Sequence, residues 1–284
     1  MKKKLTHGKR NHSQRNLIAV VCALILISFL CGIFISKLYQ PKPPKIPKVS
    51  IKKPTLGVIA LIIDDWGSSK NVSTFITTTD VPVAISVLPK LPYSKTIAEC
   101  AYANGKEIML HLPMEPYHTT DHYPKDYIIT ASMKPEKIKS LIDEFLLTVP
   151  GAQGFNNHMG SKATEDKKLM KIVYSYFKEK NFFIVDSFVS DKSVCEVVAK
   201  DLGVPFIKRD VFLDNKADRI YIENRIAELT NLAQQQGHAV GIGHARPLTL
   251  QVLEEQIPIL KEKGFKFVTV REMIKNTKAA KGKQ

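Results

Sequence analysis

Nucleotide-phosphate signatures are missing from the 284 residues: there is no G-x-G-x-x-G and no G-x-x-x-x-G-K-S/T. Both motifs hold phosphates on glycine-rich backbone, so their absence leaves nucleotide binding without support. Cysteine is scarce as well, with four residues and no C-x-x-C spacing, which argues against a zinc knuckle or a redox pair. Cys22 and Cys31 fall in an apolar run. Cys100 and Cys195 stand alone in helix-like segments, where a small buried apolar role suits them; only an oxidising compartment would allow them to pair. Ser161 lacks the G-x-S-x-G elbow, and neither Ser nor Cys recurs beside the His residues, which disfavours a Ser–His–Asp or Cys–His hydrolase. Acidic residues are absent from 1–16 and 37–54, and charge of either sign is absent from 17–36.

These last gaps organise the N-terminal part of the chain. The formal net charge is +15, yet residues 1–16 carry six Lys/Arg, 37–54 carry six Lys and 275–284 carry four, leaving 55–274 near −1. The basic excess therefore sits in the flanks, and a groove for nucleic acid is not indicated. The uncharged run Leu17–Ser36 has the length of a bilayer-crossing helix. It is longer than the core of a signal peptide and has no small-x-small cleavage site, and Leu30 ahead of Cys31 does not fit lipoprotein processing. The expectation is an uncleaved anchor, with the basic residues 1–16 cytoplasmic and the remainder on the far side of the membrane. Pro41, Pro43, Pro44, Pro47 and Pro54 make 37–54 an extended Pro/Lys-rich spacer.

From residue 57 onward, short apolar runs alternate with amphipathic ones. Strands are predicted at 57–64, 82–88, 107–112, 152–156, 182–186, 204–208, 238–243 and 266–270. Helices are predicted at 68–78, 93–104, 135–148, 164–179, 191–201, 217–236 and 249–263. Repeated strand–helix units mean parallel strands with right-handed crossovers. About seven units favour an incomplete (β/α) barrel over 55–274, followed by a basic tail at 275–284. Residues 113–134 form the longest stretch without periodicity and read as a substrate-facing loop.

The polar residues fall at strand ends. The first strand finishes in Ile63-Asp64-Asp65-Trp66-Gly67, where alternation predicts that the two carboxylates point different ways, one to hold a metal and one to move a proton. Later strands end in His111-Leu112-Pro113-Met114-Glu115-Pro116, Asn156-Asn157-His158-Met159-Gly160-Ser161, Asp186-Ser187 and Gly243-His244-Ala245-Arg246-Pro247. In parallel α/β folds these ends share one surface. Three His and three Asp gathered there suit zinc or another first-row divalent metal. His118 and His122, in the loop, and His238, at the opposite rim, read as structural.

Taken together, these five ordered motifs resemble the divergent polysaccharide deacetylases, across about 57–272. The resemblance implies a half-open (β/α) barrel distantly related to the NodB-type carbohydrate esterases. The anchor and spacer lie outside the resemblance; joined to it, they make the expectation a single-pass protein of the bacterial inner membrane with its barrel on the periplasmic side. By that likeness Asp64 is the catalytic base, Asp65 and His111 are metal ligands, and His244 protonates the leaving group. The implied reaction is zinc-dependent hydrolysis of N- or O-acetyl groups on envelope glycan or peptidoglycan. The H-x-x-x-H ligand pair of the NodB type is interrupted here, since the position four after His111 is Glu115. His158 then supplies the third ligand, with Glu115 as the alternative and Asn157 bracing His158. Asp186 would orient an imidazole or bind substrate, and Arg246 would pair with Asp186 or grip an anionic substrate. Two further readings stay open: a metal hydrolase of another cell-wall bond, and a non-catalytic glycan-binding or scaffold protein that keeps the fold. The departure at Glu115 is the main argument for the last.

Overall fold

The computed structural model describes residues 10–39, 55–69, 74–118 and 123–281. Residues 1–9, the spacer from 40 to 54, His122 and the last three residues of the basic tail lie outside them. The chain divides into two compact units, Met1–Lys52 and Lys53–Gln284.

Among the described residues, the first unit holds a single helix, α1 (Arg10–Leu38). Within it Gln14–Leu38 has a mean hydropathy of 3.1 and is exposed along its length. By length and composition that segment is sufficient to cross a membrane.

The second unit alternates strand and helix. Its elements are β1 (Gly57–Trp66), α2 (Thr74–Thr78), β2 (Ala84–Val87), α3 (Ser94–Ala103), β3 (Glu107–Met114) and α4 (Pro135–Thr148). These are followed by β4 (Gly154–Met159), α5 (Lys167–Glu179), β5 (Phe183–Asp186), α6 (Cys195–Leu202), β6 (Phe206–Lys208) and β7 (Val211–Phe212). The last are α7 (Arg219–Gln236), β8 (His238–His244), α8 (Pro247–Lys263), β9 (Phe265–Phe267) and α9 (Val270–Lys281). Every pairing is parallel, in the order β6-β5-β4-β3-β2-β1-β8-β7, with β9 added beside the start of β1. This is the expected incomplete barrel, with nine strands among the described residues where the sequence suggested eight.

Period-two alternation sorts each strand into an inner and an outer face. The inner set, Ala60, Ile62, Ala84, Met109, Phe183, Val185, Val240 and Ile242, packs into one apolar cluster. The outer set, including Ile59, Leu61, Ile63, Ile85 and Leu110, packs against the helices in a larger one. Gly154 is required by the inner packing: a Cβ there would lie 2.4 Å from the Phe183 ring.

The floor of the barrel is closed by α9, whose Val270, Met273 and Ile274 join the inner cluster. Residues 275–281, expected as tail, continue this helix. Glu107 reaches the helix start from β3, its carboxylate accepting the Val270 N–H at 2.7 Å and the Arg271 N–H at 3.2 Å. A carboxylate there satisfies otherwise unpaired amides at the positive end of the helix dipole.

The barrel stays incomplete at the step from β6 to β7. Arg209 donates its N–H to Asp186 O at 3.0 Å, and Asp210 donates to Val240 O at 2.9 Å. The Asp210 carboxylate in turn accepts the Val240 N–H at 2.7 Å. Two residues thus bridge the seam by three hydrogen bonds instead of a ladder. Cys100 and Cys195 are free thiols, and burial pushes the Cys195 thiol up to about 12.

Candidate metal and catalytic site

The inner-face parity that fills the barrel with apolar side chains carries polar ones at its carboxyl end. Asp64 follows Ile62, Ser86 follows Ala84, His111 follows Met109, Asn156 follows Gly154, Ser187 follows Val185 and His244 follows Ile242, each two residues on. Register then makes neighbours of them, pairing Asp64 with His244 and His111 with Asn156 across adjacent strands.

Asp65 breaks the alternation. Its φ is +63°, and the β1–β2 register slips between Ile63 and Trp66. Asp tolerates this left-handed conformation better than most residues. The turn carries its carboxylate to the same imidazole that Asp64 faces: His111 Nε2 lies 3.3 Å from Asp65 Oδ1 and 3.6 Å from Asp64 Oδ2. The divergence of the two acids expected from strand geometry does not occur.

Asp65, His111 and His158 form a compact ligand set, with ligating atoms within 4.8 Å of one another. Asp65 Oδ1 is 3.2 Å from His158 Nδ1, and His158 Nδ1 is 3.3 Å from His111 Nε2. The three atoms make a nearly equilateral triangle. In a tetrahedral site with metal–ligand bonds of 2.0–2.1 Å, neighbouring ligand atoms stand about 3.3–3.4 Å apart. Asp65 Oδ1 is also buried without a hydrogen bond of acceptable geometry, a costly condition for a carboxylate oxygen unless a cation takes the lone pair. The residues present therefore fit a divalent metal.

The electrostatics split the acid pair. Burial raises the pKa of Asp64, with the nearby imidazoles of His111 and His244 opposing it. Burial would raise Asp65 too, but the His111 and His158 imidazoles close against it outweigh that and hold this carboxyl far below the usual range. Asp64 is fully buried, and both of its oxygens accept from Asn156 Nδ2, at 3.0 and 2.9 Å.

His244 is held by Asp214, a residue the sequence reading missed. Asp214 Oδ1 accepts from His244 Nδ1 at 2.7 Å, while its Oδ2 accepts the His244 N–H at 3.0 Å and the Thr249 hydroxyl at 2.6 Å. Burial alone would lower the His244 pKa; the Asp214 hydrogen bond and charge outweigh it and raise it. Asp214 lies just beyond the two-residue β7 in a stretch without periodicity, so no strand-end signal marked it. Asn156 was also missed, although parity with Gly154 would have placed it inward.

The four supporting residues have partners of their own. Glu115 stays outside the ligand triangle: it accepts from Lys162 Nζ at 2.6 Å and from the Ala131 N–H at 3.1 Å, fastening the loop after β3. Asn157 faces away from His158, donating to Met159 O and accepting the Ser187 N–H. Asp186 touches no imidazole; its oxygens accept from the Phe188 N–H and the Ser193 hydroxyl, which holds the turn after β5. Arg246 pairs with Asp214 instead, donating to its backbone oxygen at 2.8 Å. His118 is exposed in the loop, and His238 opens β8 at the far rim.

Fold and site define a parallel α/β half-barrel that carries an Asp–His–His metal-ligand set at the carboxyl rim of its strands. The profile of the divergent polysaccharide deacetylases matches residues 61–274, and the chain belongs to that family. An uncharacterised protein of Haemophilus influenzae is 30% identical over 204 residues, 72% of each chain. The uncharacterised protein YibQ of Escherichia coli is 30% identical over 210 residues, 74% of this chain and 65% of its own length. Among solved structures, an uncharacterised protein of Agrobacterium tumefaciens superposes with a TM-score of 0.72 at 19% identity, covering 76% of this chain and 89% of that one. That last likeness is one of fold.

Proposed function

We propose that this protein is a membrane-anchored, metal-dependent deacetylase that removes N- or O-acetyl groups from bacterial cell-envelope glycan. The observation that carries the reading is the triangle of Asp65 Oδ1, His111 Nε2 and His158 Nδ1, with sides of 3.2–3.3 Å. It stands beside a second buried carboxylate, Asp64, whose neighbour on β8 is His244, hydrogen-bonded to Asp214. Membership of the deacetylase family supplies the acetylated-glycan class. The apolar helix α1 supports the anchor, and the N-terminal basic residues favour a periplasmic barrel.

Asp65, His111 and His158 would hold the metal, with zinc the choice for two imidazoles and a carboxylate. Bound there, a divalent cation supplies Lewis acidity that polarises an acetyl carbonyl and acidifies water. Asp64 accepts the proton of the attacking water, its buried carboxylate being raised towards the basicity that step needs. His244, kept protonated by Asp214, gives a proton to the departing amine or alcohol. Glu115 costs the site no ligand, because the third donor comes from β4.

Acetate release from a panel of acetylated glycans, with and without chelator, tests the reading. Release that stops with chelator and returns with zinc is expected. A chain that binds one zinc yet releases no acetate from any glycan would favour cleavage of another wall bond. A chain that binds none would favour the scaffold. Asp65→Ala and His158→Ala are expected to lose metal. Asp64→Asn is expected to keep the metal and lose roughly 10²-fold or more of kcat.

A further inference from the structure

The order of hydrogen bonds around Asn156 begins at a backbone carbonyl, and each step leaves the next no choice. Asn157 O can only accept, so Ser187 Oγ, 2.9 Å away, spends its single proton there. Ser187 Oγ must then accept from the group 3.1 Å away on Asn156, which makes that group the amide nitrogen, Nδ2. The other side of the amide is therefore Oδ1, and it faces Ser86 Oγ at 2.5 Å and His111 Nδ1 at 3.1 Å. Because Oδ1 accepts, His111 Nδ1 carries a hydrogen. In the neutral ring that a metal requires, the lone pair is then on Nε2, which faces Asp65 and His158 across the triangle. Both Asp64 oxygens also accept from Nδ2, so the amide has all its donors and acceptors used. Asn156 is fully buried.

We propose that Asn156 is a positioning residue: locked by the Asn157 carbonyl through Ser187, its amide fixes the tautomer of His111 and so selects the nitrogen offered to a metal. One side chain thereby ties the acid face of the site, Asp64, to its ligand face, His111. The proposal rests on the metal reading given above, and its test separates the two. Outer partners that orient a ligating imidazole typically contribute 10–100-fold in metal affinity.

The full chain in detergent, with wild type compared with Asn156→Asp and Asn156→Leu, makes the test. The two replacements are close in shape, but only Asp keeps an acceptor for His111 Nδ1. Zinc affinity is read by competition with a chromophoric chelator. The ligating nitrogen is read by cadmium-113 to nitrogen-15 coupling in cadmium-loaded, histidine-labelled protein. Ligation through His111 Nε2 is expected in wild type, with zinc affinity falling about 10–100-fold in Asn156→Leu and retained in Asn156→Asp. A packing role would leave Leu as good as Asp. Wild type ligated through His111 Nδ1, or Asn156→Leu binding zinc like wild type, would overturn the assignment; the first decides even where Asn156→Leu does not fold. A wild-type chain that binds neither metal would overturn the functional reading, and with it this one.

Discussion

His244 sits under two opposed pressures. Burial disfavours its imidazolium, and the Asp214 carboxylate 2.7 Å from Nδ1 favours it. The second wins, so the folded pKa lies above the ordinary value of 6.5. A proton donor of this kind is charged below that raised pKa and is lost as the pH rises through it. The alkaline limb of the kcat/KM profile is therefore expected above pH 6.5. Asp214→Asn removes the opposing charge and also stops holding the Nδ1–H tautomer. The expected outcome is an alkaline limb shifted to lower pH and a kcat reduced roughly 10²–10⁴-fold, read from pH–rate profiles of both proteins. Asp64, Asp65, His111, His158 and His244 were legible as positions because each lies in the C-terminal half of its strand. Their partners were not: the +63° φ that turns Asp65 inward is set by a register slip between strands, which no local pattern announces. Asn156 and Asn157 look alike in the sequence, and only the parity of β4 tells which one faces the site.

Elements long enough to show a period were readable, and those decided by tertiary contacts were not. β1, β3, α4 and α7 fall close to their expected limits. β7 has two residues, too few for any alternation, and exists because Val211 and Phe212 pair with β8. α9 was obscured by its lysines, although Val270, Met273, Ile274 and Thr277 repeat at helical spacing. Its role as the floor of the barrel predicts the effect of changing its cap. Glu107→Gln replaces a carboxylate that accepts two amides with a group that brings its own donor towards one of them. A cost of about 1–2 kcal/mol is expected, a drop of roughly 2–8 °C in Tm for a unit of this size. Gly154→Ala should cost more than a surface change of the same kind, since Phe183 occupies the space of the new methyl. Thermal melts of the two variants check both, and an unchanged Tm in Glu107→Gln would mean that α9 is held by its apolar face alone.

At the scale of the whole chain, the division at Lys52–Lys53 separates two ways of satisfying apolar surface. The barrel unit buries its own: the strands fill the interior, the helices cover the outer face, and α9 seals the floor. Helix α1 does the opposite, leaving Leu17, Leu24, Phe29 and Phe34 exposed. A contiguous apolar surface of that extent suits a lipid or detergent environment. The charge follows the same division, since the basic excess lies in the flanks and the body is near −1. Removing residues 1–52 should therefore take away the need for detergent without touching the core or the ligand triangle. The shortened chain, 53–284, is expected to be recovered in plain buffer with a Tm within a few degrees of the full chain's. It should also bind zinc with the same affinity, measured by the same chelator competition. A large loss of stability would show that α1 or the spacer packs on the barrel, and a loss of zinc binding alone would show that one of them contributes to the site.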